Sequence, residues 1–220
     1  MGGLIPLGDA SRPPTRFAVV TVLIILLNIY VFLQELAFGD RFVLMWSVIP
    51  VRIMHGHRMI TLLTSMFMHA SWMHIIGNMI YLWAFGREME NAMGRIRFLV
   101  FYLSGGVVAM MAQVIADPSS RIPCLGASGA IAAVMGAFLV TYPRDRIRTL
   151  IFFFIFVRIT FIPAVLLIGF WFLTQVMNLG VVAQARTGGV AYLAHIGGCL
   201  FGVVTARLFR DPGRMIYRDE

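Results

Sequence analysis

Cys124-Leu125-Gly126-Ala127-Ser128-Gly129-Ala130 opens an apolar run that continues to Tyr142. Ala194-His195-Ile196-Gly197-Gly198 lies inside a second such run, 67 residues after the serine. Whether these runs are the core of a soluble domain or membrane spans decides the fold. The chain of 220 residues is 60% hydrophobic and only 13% charged, against about 25% charged for a soluble globular domain. Several runs approach or exceed the ~20 apolar residues that cross a bilayer. The reading is therefore an all-α polytopic membrane bundle, in which a serine and a histidine are costly residues to bury without a use.

Working outward, the first sixteen residues form a polar lead-in with Pro6, Pro13 and Pro14 and no apolar centre, which does not read as a cleavable signal. The first span is expected over 17–38. Residues 39–59 mix Asp40, Arg41, Arg52, His55, His57 and Arg58 with Trp46, Val48 and Ile49, the pattern of an interfacial loop with short helical pieces. A second span over 60–85 ends in the charged stretch Gly86-Arg87-Glu88-Met89-Glu90, expected to be a turn. A third follows over 98–116 and a fourth over 125–142, closed by the basic loop Pro143-Arg144-Asp145-Arg146-Ile147-Arg148. The stretch 149–178 is too long for one span at 1.5 Å per residue. Its first part, 150–157, is expected to be an interfacial lead and 162–179 the fifth span. The sixth covers 188–209, and 210–220 is a polar tail, so 17–209 forms one six-span domain between two cytoplasmic ends.

The net charge is +8 and every basic residue is arginine. With six spans, 13 arginines fall on the side of the two termini and 5 on the other, which puts both termini in the cytoplasm. The arginines flank apolar runs, so they read as topology signals and not as a nucleic-acid surface. The expected partners are membrane lipids and transmembrane proteins. Nothing in the sequence sets an oligomeric state.

Among the polar side chains inside spans five stand out: His69, His74, Asn78, Ser128 and His195. His74 and Asn78 are four apart and share a helix face. Spans two, four and six all run inward, which places His74, Ser128 and His195 in the outer half of the membrane. Ser128 alone reads as a helix-packing residue, but Gly126 and Gly129 allow the tight turn that exposes a nucleophile at a helix start. Gly198 and Gly202 form a small-residue face one turn below His195, expected to let spans four and six approach closely. A metal site is disfavoured: His69 and His74 are five apart, without the intervening glutamate of the zinc-protease pattern. Cys124 and Cys199 are expected at depths about 12 Å apart, too far for a disulfide. No cofactor is implied.

These residues and their order resemble the rhomboid intramembrane serine proteases in their bacterial six-span form, over nearly the whole chain. Ile5-Pro6-Leu7-Gly8-Asp9 is similar to the family's lead-in. Thr64-Ser65-Met66-Phe67-Met68-His69 with His74-Ile75-Ile76-Gly77-Asn78 is similar to its second-span signature. Gly126-Ala127-Ser128-Gly129 resembles its nucleophile motif, and Ala194-His195-Ile196-Gly197-Gly198 with Gly202 its sixth-span motif. The resemblance implies a Ser128–His195 dyad without a third acid. It implies an oxyanion hole from His74, Asn78 and the Ser128 N–H, with His69 in support. It implies cleavage of substrate transmembrane helices near their outer ends, and residence in a bacterial plasma membrane. A non-proteolytic relative that holds transmembrane clients is the alternative; it predicts loss of the serine or the histidine. A small transporter would carry an internal repeat, and none is visible. Two departures stand out. A Trp-Arg pair of some members is replaced by Ile60-Thr61, so the first loop must be anchored differently. A tyrosine that supports the histidine in some members is replaced by Ala132, so something else must orient His195.

Overall fold

A computed structural model describes residues 2–11, 15–153, 156–182 and 191–215. Arg12, Arg186 and Arg218 of the arginine count lie outside the described residues. The elements in chain order are β1 (Gly2–Asp9), α1 (Val19–Trp46), α2 (Pro50–Met54), α3 (Thr61–Thr64), α4 (Trp72–Tyr81), α5 (Arg87–Met93), α6 (Arg95–Ala116), α7 (Ser128–Thr141), β2 (Arg146–Phe153), β3 (Phe156–Pro163), α8 (Ala164–Val182), α9 (Tyr192–Phe209) and α10 (Pro212–Met215). A single 3₁₀ turn covers Ser65–Phe67, and a π turn over Leu82–Gly86 fuses α4 to α5. The helices α1, α6 and α9 are each long and apolar enough to cross a membrane, and α7 and α8 are shorter apolar helices. Large apolar side chains such as Leu26, Leu33, Phe170, Leu173, Val204 and Leu208 stand exposed around the outside. Such a girdle suits lipid and would be a liability in water.

The bundle is built around α7. Residues 129–138 of this helix are buried without a break, and it packs chiefly on α9 and α6. The sequence permits this because small residues meet backbone. A Cβ on Gly198 would overlap the Gly129 carbonyl, and one on Gly202 would overlap the Ala133 carbonyl. Without lipid-excluding hydrophobic force between helices, such close approach is what holds them together. The expected tight pairing of spans four and six is present.

Three local readings need correction. The second span is a continuous helical rod from Trp72 to Met93, not 60–85. The charged stretch at 86–90 lies inside it because Glu90 is used internally. The start of α1 has no side-chain cap of its own, and the Glu90 carboxylate accepts from Val20 N at 3.0 Å, Thr21 N at 2.7 Å and Thr21 Oγ1 at 2.8 Å. An anion supplied across the bundle thus satisfies orphan donors at a positive helix end. In the stretch 150–157, expected to be an interfacial lead, the described residues are strand, the end of β2 and the start of β3, and the polar lead-in contributes β1. Together they add a three-stranded antiparallel sheet, in the order β1-β2-β3, to the helical bundle. In β2, Ile147 and Thr149 are fully buried while Arg146 and Arg148 are exposed, the two-residue alternation of a half-buried strand. Finally, α1 runs on to Trp46 through a kink at Gly39, whose φ of 60° suits glycine.

The first loop is anchored at the end of α1. Arg52 and Arg58 each donate a guanidinium N–H, to Leu44 O and Met45 O at 3.2 Å, and Thr64 Oγ1 donates to Trp46 O at 2.7 Å. Cations and a hydroxyl on the last carbonyls of a helix do what a C-cap does.

Candidate active site

Ser128 is the first residue of α7, so its N–H is among the donors a helix start leaves unpaired. The chain reaches it through a loop tied down on two sides. Cys124 exchanges backbone hydrogen bonds with Val48, and Gly126 N donates to Ser65 O at 2.9 Å. Gly126 takes φ 131°. A Cβ there would lie 3.0 Å from the His74 ring and 3.6 Å from Ser128 Oγ. Glycine is thus required both for the turn and for room beside the imidazole. The 14 residues of α7 span ~21 Å, well short of a ~30 Å hydrocarbon core. A helix that short leaves at least one of its ends below the membrane surface.

His195 comes from α9, one helical turn from its start, and is nine-tenths buried. Its Nε2 lies 2.7 Å from Ser128 Oγ, and its Nδ1 lies 2.8 Å from Gln175 Oε1 on α8. Trp171 and Tyr192 flank the ring, with centroids 5.7 Å and 6.4 Å away. Ala132 is buried in α7.

His74 and Asn78 lie on α4, whose start is capped by Ser71 Oγ accepting from His74 N at 3.2 Å. Ala70 N donates to His74 Nδ1 at 3.4 Å. The other ring nitrogen then carries the proton and is a donor beside Gly126. Asn78 Nδ2 is 2.9 Å from His69 Nε2, and the His69 and His74 rings meet edge to face at 5.0 Å. The expected residues are therefore juxtaposed: Ser128 with His195, His74 against the Gly126 turn, and Asn78 with His69. Gly129, Gly198 and Gly202 lie where α7 meets α9 and serve packing.

Two polar side chains escaped the sequence reading. Gln175 is one. The other is Glu35, buried in α1, whose Oε2 accepts from His69 N at 2.8 Å. It holds the turn that carries His69 and leads into α4. A carboxylate in the first span was itself the signal, since charge at that depth is rarely idle. Glu35→Leu leaves that buried N–H without an acceptor and is expected to cost about 1–3 kcal/mol, read as a fall in thermal unfolding temperature in detergent. Glu35→Gln, which keeps an acceptor, is expected to lose less; equal losses would show that the hydrogen bond is not the reason.

Cys124 and Cys199 are both free thiols. Burial, with Asp117 adding to it, pushes the Cys124 thiol up to about 11, so it is no competing nucleophile. Among the described residues no group of three or more His, Cys, Asp or Glu is placed to hold a metal ion.

A family model described as the Rhomboid domain matches residues 56–212. The chain is 30% identical over 150 residues to the human presenilin-associated rhomboid-like protein, mitochondrial, a match covering 64% of this chain and 36% of that protein. It is 30% identical over 151 residues to Rhomboid protein 1, mitochondrial, of Saccharomyces cerevisiae, covering 66% and 40%. It is 26% identical over 208 residues to Rhomboid-like protein 11, chloroplastic, of Arabidopsis thaliana, covering 88% and 66%. The chain thus spans under half the length of the first two of these relatives.

Proposed function

The chain belongs to the rhomboid family, and from that premise we propose that it is an intramembrane serine endopeptidase. It cuts transmembrane helices near the outer membrane face with a Ser128–His195 dyad. The observation that carries this reading is the 2.7 Å contact between His195 Nε2 and Ser128 Oγ at the start of a short apolar helix. A free histidine has a pKa near 6.5, so at neutral pH it is mostly uncharged and able to accept a proton. Ser128 Oγ attacks the scissile carbonyl as its proton passes to His195 Nε2. The tetrahedral oxyanion takes hydrogen bonds from the Ser128 N–H, from the His74 ring N–H beside Gly126, and from the Asn78 N–H that His69 does not hold. His195 then protonates the leaving amine. Water attacks the acyl-enzyme, its proton returning through His195 to Ser128 Oγ.

The substrate's peptide groups are paired with each other while it stays helical, so the cut requires local unwinding. Substrates with Gly or Pro near the outer end are expected to be cut faster than the same segments stiffened with Leu and Ala. The test is cleavage of both substrates by the purified protein, by Ser128→Ala and by His195→Ala. Equal cleavage by all three proteins sinks the protease reading, and equal rates on the two substrates sink the unwinding step. Wild-type protein that captures these helices without cutting them is the outcome for the client-holding alternative.

We place the chain in a bacterial plasma membrane with both termini cytoplasmic, on the arginine asymmetry and the resemblance to six-span members. A fluorescent protein fused to the C-terminus that fails to mature inside the cell would overturn that orientation. The mitochondrial and chloroplastic locations in the names above belong to those relatives.

A further inference from the structure

His195 needs a fixed tautomer, and Ala132 offers nothing to fix it. We propose that Gln175 is the positioning residue of the dyad. Its side-chain oxygen holds His195 with the proton on Nδ1 and leaves the Nε2 lone pair facing the Ser128 hydroxyl. The inference rests on the protease reading and deepens it.

The amide can be oriented from its neighbours. Gln175 Nε2 lies 3.1 Å from Trp171 O, and a backbone carbonyl only accepts, so the amide nitrogen belongs there. The same nitrogen donates to Thr174 Oγ1 at 3.1 Å, and Thr174 Oγ1 donates to Trp171 O at 2.6 Å. The amide oxygen is then the atom 2.8 Å from His195 Nδ1. Because an amide oxygen only accepts, Nδ1 must carry the proton. A neutral imidazole has one N–H, so Nε2 is the acceptor, 2.7 Å from Ser128 Oγ. The Trp171 and Tyr192 rings limit the tilt of the imidazole, while Gln175 sets its rotation and its proton.

A plain helix residue would not be built this way. Gln175 is buried, 7% exposed, in a helix whose other faces carry Leu166, Phe170, Leu173 and Met177 to the exterior. A glutamine bonded only to the carbonyl four residues back would leave its oxygen unpaired, which is costly in an apolar medium. The oxygen is instead spent on His195. An amide also does this without a fixed charge, which would be expensive at that depth.

The experiment compares wild type, Gln175→Met and Gln175→Glu by cleavage kinetics, by labelling of Ser128 with a fluorophosphonate, and by nitrogen-15 NMR of histidine-labelled protein. Methionine keeps the bulk and removes the acceptor; glutamate keeps the acceptor. The expected results for Gln175→Met are kcat lower by about 10²-fold, below the ~10⁴-fold known for a triad left with the wrong tautomer. KM stays within twofold, labelling slows in parallel, and the His195 Nδ1–H signature is lost. Gln175→Glu is expected to recover most of kcat and to keep that signature. A Gln175→Met protein with wild-type kcat and an unchanged His195 spectrum overturns the proposal. So does an equal loss in both variants that follows their unfolding temperatures. If wild type neither cleaves nor labels more than Ser128→Ala, the protease reading has failed, and the proposal with it.

Discussion

Ser128→Ala is expected to lower the rate of substrate cleavage by about 10⁶-fold, to background, with no change in unfolding temperature. Loss of a serine nucleophile in a serine protease has an effect of this size. The fold should not respond, because the hydroxyl's one side-chain hydrogen bond among the described residues is to His195. The start of α7 is held instead by backbone, through Gly126 N to Ser65 O and the Cys124–Val48 pair. No nearby group replaces the nucleophile: the Cys124 thiol stays protonated at neutral pH. His195→Ala is expected to be about as damaging, and the double variant no worse than either. Groups that act as a unit do not add. Single-turnover cleavage of a reconstituted transmembrane substrate measures the rate, and thermal unfolding measures the fold. Residual cleavage by Ser128→Ala within tenfold of wild type would mean that the chemistry lies elsewhere.

The sequence revealed this site because its residues are the wrong kind for their surroundings. His74, Asn78, Ser128 and His195 interrupt runs that should be apolar, and their spacings put them on three helices expected to run in one direction, at one level. Gln175 broke the same rule and was overlooked, since an amide carries no motif and its role exists only through a partner on another helix. Glu35 was overlooked while the first span was read for hydropathy alone. The charged stretch 86–90 reads as a turn from its charge, whereas Glu90 accepts from the donors at the start of α1. The sheet was harder to see. Its alternation is present in Arg146-Ile147-Arg148-Thr149, but β1 pairs with β2 across the length of the chain, Leu4 opposite Ile151. Pairing at that separation leaves no local mark.

The oxyanion side offers the second large effect. His74→Ala is expected to lower kcat by about 10²–10³-fold with little change in KM, the loss typical of one oxyanion donor. The ring is placed for that task by three local features. The Ser71 cap starts α4 so that residue 74 falls on its first turn. The Ala70 N–H occupies Nδ1 and so puts the proton on the other nitrogen. Gly126 leaves the space in which that nitrogen sits beside the Ser128 turn. A residue that only held the fold would lose rate in step with stability, and would lose binding as well. A donor to the oxyanion instead acts after binding, so its removal separates kcat from KM. Asn78→Ala adds a discriminating comparison, because it frees His69 as well as removing a donor. It is therefore expected to lower both kcat and the unfolding temperature, whereas His74→Ala lowers kcat at the smaller structural cost of the weak Ala70 contact and the edge-to-face contact with His69. If His74→Ala changes KM tenfold and leaves kcat intact, the imidazole is a substrate-binding wall and the oxyanion is held by Asn78 and the Ser128 N–H alone.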